Sequence, residues 1–389
     1  MILTAIKKTI SLFITLALTL LMVVAVYVSV GRQLLPYAAQ YREDVEASLS
    51  ASLGQQVQIG LLEGSWRRFN PVLSLQQVLI FPAVSSPSEQ LVQLDNITLE
   101  LDAFGSLLQR RLVLRAVDIH NPELTLHEDA NGRWQLSGFA MNPDAPMDLD
   151  QMLALASRVS NLSLSDLRLT LLRQDGRRSS FERSDLRLQN RGAQRFLSLE
   201  LTQPGVAAPL VFAAELTGAS MAELSGTLYA SLPQTDYSEM LQGLALGEQL
   251  RLGALAGGGQ VWATLQVGRL ETVQGSMALD AVGVERLEGG PAVALDAARA
   301  DFFLRRLENA AGWEVWARDL SLQQESVAWE SSIAYVQLVP QDYVELKADR
   351  LDLGFLNALV TRLDLLPPAT DAQLTEHNLR GDLQQLALR

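Results

Sequence analysis

The hydrophobic positions of this chain follow three successive patterns, and each predicts a different element. From Thr9 to Gly31 there are 23 residues without a charge, bounded by Lys7 and Lys8 before and Arg32 after. A helix rises about 1.5 Å per residue, so this run reaches roughly 35 Å, enough to cross a hydrocarbon core of about 30 Å with modest tilt. Its apolar character runs right round the helix, unlike the one-sided stripe of a helix in a soluble fold. Leu12, Phe13, Leu16, Leu20, Val24 and Tyr27, with Lys7, Lys8 and Arg32 at its ends, make up the predicted membrane anchor. A cleaved signal peptide also starts basic and apolar, but its core is about 7–15 residues and ends at a small-x-small site. Tyr27-Val28-Ser29-Val30 is a poor cleavage site and Tyr37-Ala38-Ala39-Gln40 a weak one, so the pattern predicts an uncleaved anchor.

The second pattern has period four. Tyr37, Tyr41, Val45, Leu49 and Leu53 recur among Arg42, Glu43, Asp44 and Glu46 and predict an amphipathic helix after Pro36, stopped at Gly54. Its polar face holds more acid than base, the wrong sign for a helix lying on an anionic membrane, so it is expected to cap the end of a sheet. The third pattern begins at Gln56 and has period two. Leu167, Leu169 and Leu171 alternate with Arg168 and Thr170, and Leu197, Leu199 and Leu201 with Ser198, Glu200 and Thr202. Each reads as a strand with one apolar and one wet face. Comparable runs cover 112–119, 124–127, 186–189, 226–232, 261–267, 277–281, 313–322, 333–338 and 344–353. Asn131-Gly132 and Asp175-Gly176 fall between strand candidates as hairpin turns. Helical spacing returns only over 149–159, over 354–364 before Pro367-Pro368, and weakly over 237–244.

These patterns predict a mainly β protein. A single transmembrane helix would be followed by an antiparallel, meandering β region with a few short helices. The expected divisions are a tip at 1–8, the anchor at 9–31, an amphipathic linker and capping helix at 32–54, and a β region at 55–389. Three short helices cannot cover one face of so many strands. The apolar face must then close into a sandwich or barrel with its own core, or remain a surface that binds something. Alternation fits both. Leu167, Leu169, Leu171, Leu197, Leu199, Leu201, Val261, Ala263, Leu265 and Val267 are the candidates for lining that face.

Charge narrows the partners. The chain carries −13, and three of its cations but none of its acids lie in residues 1–32, leaving −16 on the remainder. Such an exterior argues against nucleic acid and against adhesion through a basic patch to anionic lipid. The basic tip and acidic flank place the N-terminus in the cytoplasm and the bulk across the membrane. There is no cysteine, which excludes thiolate catalysis, disulfides and cysteine-ligated metals.

Groups for chemistry are sparse. His120, His127, Glu128 and Asp129 lie near one another in sequence, but the Asn131-Gly132 turn accounts for the acids as solvated turn formers. His377 has no hydroxyl or acid neighbour arranged as a triad, and Gly257-Gly258-Gly259 lacks the setting of a phosphate loop and reads as a flexible turn. The chain is therefore expected to be no enzyme and to need no cofactor or metal.

Several stretches carry a resemblance. Leu53-Gly54, then Leu62-Glu63-Gly64-Ser65-Trp66 and Pro71-Val72-Leu73-Ser74-Leu75, follow the anchor and amphipathic helix. Val117 to Leu126, with Pro122 between two strands, leads to Asn131-Gly132-Arg133-Trp134, and Ala348 to Leu353 precede a helix. Together they resemble the AsmA-like family, in its YhdP branch, over essentially the whole chain. The resemblance implies a bridge-like lipid carrier: a single-pass inner-membrane protein of a Gram-negative bacterium whose periplasmic part is an elongated, twisted antiparallel β-sheet groove. It further implies that phospholipid acyl chains, the inner membrane and other envelope proteins are its partners in outer-membrane biogenesis. Relatives of that branch are longer, and Leu379 to Leu383 read as the opening strand of a further unit, so this sequence is expected to be an N-terminal part. A dry-cored β-rich scaffold or regulator of outer-membrane biogenesis is the other reading.

Overall fold

The computed structural model describes residues 14–15, 18–19, 21–22, 25–29, 33, 35–53, 55–81, 92–110, 113–128, 134–136, 159–241, 250–286, 293–307, 312–324, 327–339, 343–355 and 381–388. The described residues between 14 and 29 are helical, and Ile14, Leu18, Leu21, Met22 and Val26 are exposed. Among the described residues no helix is long and apolar enough to cross a membrane. Of the anchor residues singled out from the sequence, Tyr27 is described; Lys7, Lys8, Leu12, Phe13, Leu16, Leu20, Val24 and Arg32 lie outside the described residues.

The chain is mainly β, and it divides into two compact units: residues 1–125 with 135–167, and residues 126–134 with 168–389. In the first unit a 3-10 turn (Leu35–Tyr41) leads into helix α1 (Arg42–Leu53), where the period-four pattern predicts a helix. Strands β1 (Val57–Arg67), β2 (Asn70–Ile80), β3 (Val92–Leu101) and β4 (Leu114–His120) then pair antiparallel in chain order. Val57, Ile59, Leu62, Leu75, Val78, Ile80, Val92 and Leu94 form a buried core, and Val45 and Leu49 of α1 pack against it. The helix therefore caps the sheet as its acidic face requires. It also covers an edge: the amide of Val57 donates to Ser50 Oγ at 2.9 Å, and that of Ile59 to Glu46 Oε1 at 2.8 Å. Outward N–H groups on an edge strand are a template for pairing with another chain, and α1 occupies two of them.

A helix that the periodicity does not announce, α2 (Ala103–Gln109), follows β3; Asp102 caps it by accepting from the Gly105 amide at 2.8 Å. Strand β4 is continued after Asn121 and the buried Pro122 by β5 (Glu123–Glu128), the break that the Pro pattern predicts. The short β6 (Trp134–Leu136) follows, and then β7 (Asn161–Leu172), which runs parallel to β4. The interval between β4 and β7 exceeds the dozen or so residues a parallel crossover needs. The Asn131-Gly132 turn and the helix expected over 149–159 lie outside the described residues, except for Val159.

In the second unit the strands form a meander in which each described pair is antiparallel. Asp175-Gly176 makes the expected tight turn into β8 (Arg178–Arg191), with Gly176 at φ 84° and its amide donating to Arg173 O at 3.0 Å. The chain continues through β9 (Gln194–Leu201), β10 (Leu210–Thr217), β11 (Ser225–Asp236), helix α3 (Ser238–Leu241), β12 (Leu250–Gln266) and β13 (Arg269–Arg286). After the short β14 (Val293–Leu295) come β15 (Ala297–Arg306), β16 (Trp313–Gln324), β17 (Val327–Val339), β18 (Tyr343–Asp352) and β19 (Asp382–Leu388). Of the helix expected over 354–364, Gly354 and Phe355 are helical and the remainder lies outside the described residues; the Phe355 amide donates to Asp352 Oδ1 at 2.7 Å.

One line of irregularities crosses this meander. Extra residues fall between Leu232 and Thr235 on β11, at Asp280 on β13 opposite Ala256 and Gly257, and between Arg318 and Ser321 on β16 opposite Arg299 and Asp301. Asp319 and Gln385 extend the line with φ near 50°. Each irregularity bends its strand. Gly257-Gly258-Gly259, expected to be a flexible turn, instead lies inside β12 on this line. A Cβ at Gly257 would sit 2.5 Å from Ala278 O, and one at Gly258 2.7 Å from Leu232 O, so backbones approach here to a distance only glycine permits. At the same crease Asp349 accepts from the Ser331 hydroxyl, from the Ser332 amide at 3.1 Å and from the Ile333 amide at 3.4 Å.

Two predictions follow from these contacts. Glu46→Ala frees the Ile59 amide at the β1 edge; it should destabilise the fold by about 1–2 kcal/mol and speed hydrogen exchange at Ile59 selectively. Equal exchange in both proteins would show that the helix does not guard the edge. The hydroxyl of Ser331, followed by the nearby amides, holds Asp349 down at about 2, against an ordinary value of 3.8. A lowered carboxylate stabilises the fold above its unfolded pKa and loses that contribution as pH falls through the folded one. The stability difference between wild type and Asp349→Asn should be constant above pH ~4 and shrink between pH ~4 and ~2, as read by denaturant titration.

Candidate functional site

Residues that pair across antiparallel strands project to the same face, so the registers sort every side chain of the second unit onto one side or the other. One transverse row runs Leu188, Leu197, Ala214, Leu228, Ala263, Val273, Leu304, Val315 and Val336 from β8 to β17. The next row on the same face runs Leu186, Leu199, Phe212, Ala230, Val261, Gly275, Phe302, Ala317 and Ala334. Across nine strands neither row contains a polar side chain. Between them, on the opposite face, lie Arg187, Ser198, Ala213, Tyr229, Trp262, Gln274, Phe303, Trp316, Tyr335 and Lys347.

The burial of the apolar rows distinguishes two regions. Phe181, Leu201, Leu210 and Tyr237 form a buried cluster, joined by Leu169, Leu171, Leu199, Leu232 and Leu255 from the strands and by Met240 and Leu241 from α3. The helix lies over this part of the face and seals it. Tyr237 is 2 % exposed, its hydroxyl donates to Pro233 O at 2.6 Å, and burial pushes its phenol up to about 12. Away from α3 the first row is half-buried from Leu188 to Val336, and Phe212 in the second is 37 % exposed. A second layer packed on this face would bury these side chains as the cluster is buried. The first unit repeats the arrangement: Ile97, Leu99, Val117, Ile119, Leu162 and Leu164 continue the face of its capped core by register and are half-buried.

Of the sequence candidates, Leu197, Val261 and Ala263 stand in the half-buried rows, and Leu265 is half-buried on the same face further along β12. Leu169, Leu171, Leu199 and Leu201 converge on the cluster under α3, and Leu167 is 3 % exposed. Val267 lies on neither face. It occupies the Val267-Gly268 turn between β12 and β13 at φ 49° and is 64 % exposed, because a two-residue hairpin with both central residues at positive φ ends the strand one residue early. Phe302, Leu304, Leu228 and Val315 belong to the face and were not among the sequence candidates, although Ala300, Phe302 and Leu304 alternate with charged and aromatic neighbours. On the polar face of the first unit His120 Nδ1 lies 2.6 Å from Ser165 Oγ; His127 is exposed, and His377 lies outside the described residues. Among the described residues no three His, Cys, Asp or Glu side chains gather as a metal site would require.

Charge placed on the two regions should act differently. Leu201→Asp puts a carboxylate into the sealed cluster and should cost several kcal/mol, leaving little folded protein. Leu265→Asp, on the open part, should fall within about 0.5–3 kcal/mol and leave the circular dichroism spectrum unchanged. Equal losses in thermal denaturation would mean that the open rows are as dry as the cluster.

A family model described as YhdP protein matches residues 1–389. No curated protein and no solved structure matches the chain.

Proposed function

We propose that this chain, which belongs to the YhdP family, is a lipid conduit anchored in the bacterial inner membrane by residues 9–31, with its β region in the periplasm. The reading rests above all on the half-buried apolar rows, which run unbroken over nine strands and lack the burial that a second packed layer would give. An acyl chain laid across them buries methylenes at about 0.8 kcal/mol each, with no directional requirement. Leu, Val, Ala and Phe side chains at strand spacing offer many equivalent positions and no deep one, which suits movement along the face better than capture. Phospholipid is the cargo that membrane tethering and an apolar trough favour, and its transfer between inner and outer membrane is the proposed role. The chemistry asked of the residues is transport, with no catalytic step.

The full chain purified in a detergent of defined mass should carry phospholipid detectable by native mass spectrometry and organic extraction. Leu228→Asp and Leu304→Asp should fold, judged by circular dichroism, and carry less. A wild-type protein free of lipid, or variants that retain the full load, would instead support a dry scaffold.

A further inference from the structure

The polar face of the second unit carries a feature that acyl transport does not use. Tyr229, Trp262, Phe303, Trp316 and Tyr335 stand in one transverse row, each on a different strand. Neighbouring rings touch: Tyr229 and Trp262 at 5.1 Å, Phe303 and Trp316 at 5.4 Å, Trp316 and Tyr335 at 5.3 Å between centroids. Cross-strand aromatic pairs stabilise a sheet, and Arg305 over Trp316 with Lys347 over Tyr335 adds to that role. Stability does not account for the interruption. Gln274 on β13 breaks the row, and a depression of about 680 Å³ opens there, bordered by Trp262 on one side and by Phe303 and Trp316 on the other. Its remaining polar wall is Ser276, Asp301 and Arg318, the adjacent row of the same face. Trp262 is 42 % and Ile333 58 % exposed at its rim, an apolar outcrop on an otherwise wet surface.

We propose that this slot binds a neutral pyranose ring of a glycan. Trp262 and Phe303 flank β13 on its two neighbouring strands, so their backbones are roughly 9–10 Å apart. Gln274 stands between the two in register, so a saccharide ring lies over its amide with a C–H face toward the flanking aromatic groups. The volume lies within the roughly 300–1,000 Å³ of small-ligand sites. Gln274 and Ser276 offer neutral donors and acceptors for ring hydroxyls, and Asp301 faces Arg318 across β15 and β16 so that their charges cancel. Local neutrality disfavours a phosphate, and the polar wall disfavours an acyl chain, which has the opposite face. The site is independent of the conduit reading and would stand if that reading fell.

The test uses the full chain in detergent with two neutral probes, cellotriose and chitotriose, read by tryptophan fluorescence and confirmed by calorimetry. At least one should bind saturably. Trp262→Ala should weaken that binding about tenfold. Gln274→Phe completes the aromatic row and fills the slot; at an exposed strand position it should fold at least as well as wild type and bind neither probe. Absence of saturable binding by both trisaccharides, or undiminished binding in Gln274→Phe, would overturn the proposal. So would binding of a Trp-rich peptide in place of either sugar, which would make the row a protein contact.

Discussion

In the second unit, an antiparallel meander whose apolar face is only half-buried over most of its strands is the constraint on which this structure depends. Sandwiches gain stability by pressing two such faces together, and here that gain is withheld from the open rows. Cohesion has to come from within the layer. Ladder hydrogen bonds supply part of it, and cross-strand contacts on the wet face supply more: the aromatic row, and ion pairs such as Arg305 with Glu314 at 2.6 Å and Arg251 with Glu285 at 2.9 Å. These pairs are partly exposed and individually weak. In the first unit Glu100, 8 % exposed, meets Asn70 at 2.7 Å and both Arg67 and Arg115 at 3.4 Å, a firmer polar clamp on the face opposite the core.

The crease follows from the same constraint. A strand bends sharply only where a residue is inserted or a side chain omitted, and the second unit does both along one line. The glycines of β12 allow backbones to approach where any Cβ would collide, while Asp349 satisfies the amides that the bend on β17 sets free. Side chains on both sides of the crease still reach the same face. On β16 the apolar set shifts from Val315 and Ala317 to Leu320 and Leu322, with Asp319 absorbing the extra residue at φ 49°.

That shift explains what could be read from the chain in advance. Strand alternation, the amphipathic helix, the Asp175-Gly176 turn and the Pro122 break rest on local sequence and are legible there. The full extent of β13 is not, because the extra residue at Asp280 breaks the period of two at the point where the sheet bends. Gly257 to Gly259 read as a turn because three glycines in succession are more often a loop than a strand. Only the close backbone approach, a tertiary fact, gives them a reason to be elsewhere. Val267 continues the alternation of Val261, Ala263 and Leu265 perfectly well, and only the Val267-Gly268 turn removes it. Helix α2 had a signal in Asp102, but one capping residue before seven positions is too little pattern to announce a helix.

The same rows bear on a choice that the sequence poses, between a sheet with its own dry core and a sheet that leaves its apolar face for a ligand. Leu201 and Leu197 are four residues apart on one strand and project from one face, yet Leu201 is buried in the cluster under α3 and Leu197 stands in the half-buried row beyond it. Nothing in the strand distinguishes them. What differs is cover, and cover is supplied by helix α3, held where the Tyr237 hydroxyl meets Pro233 and the Leu255 amide donates to Ser238 Oγ at 3.0 Å. Alternation specifies that a face is apolar and leaves open whether it will be core or groove. In a meander with few helices, the positions of those helices decide where the face ends as a core, and the remainder is what the chain has left to offer a ligand.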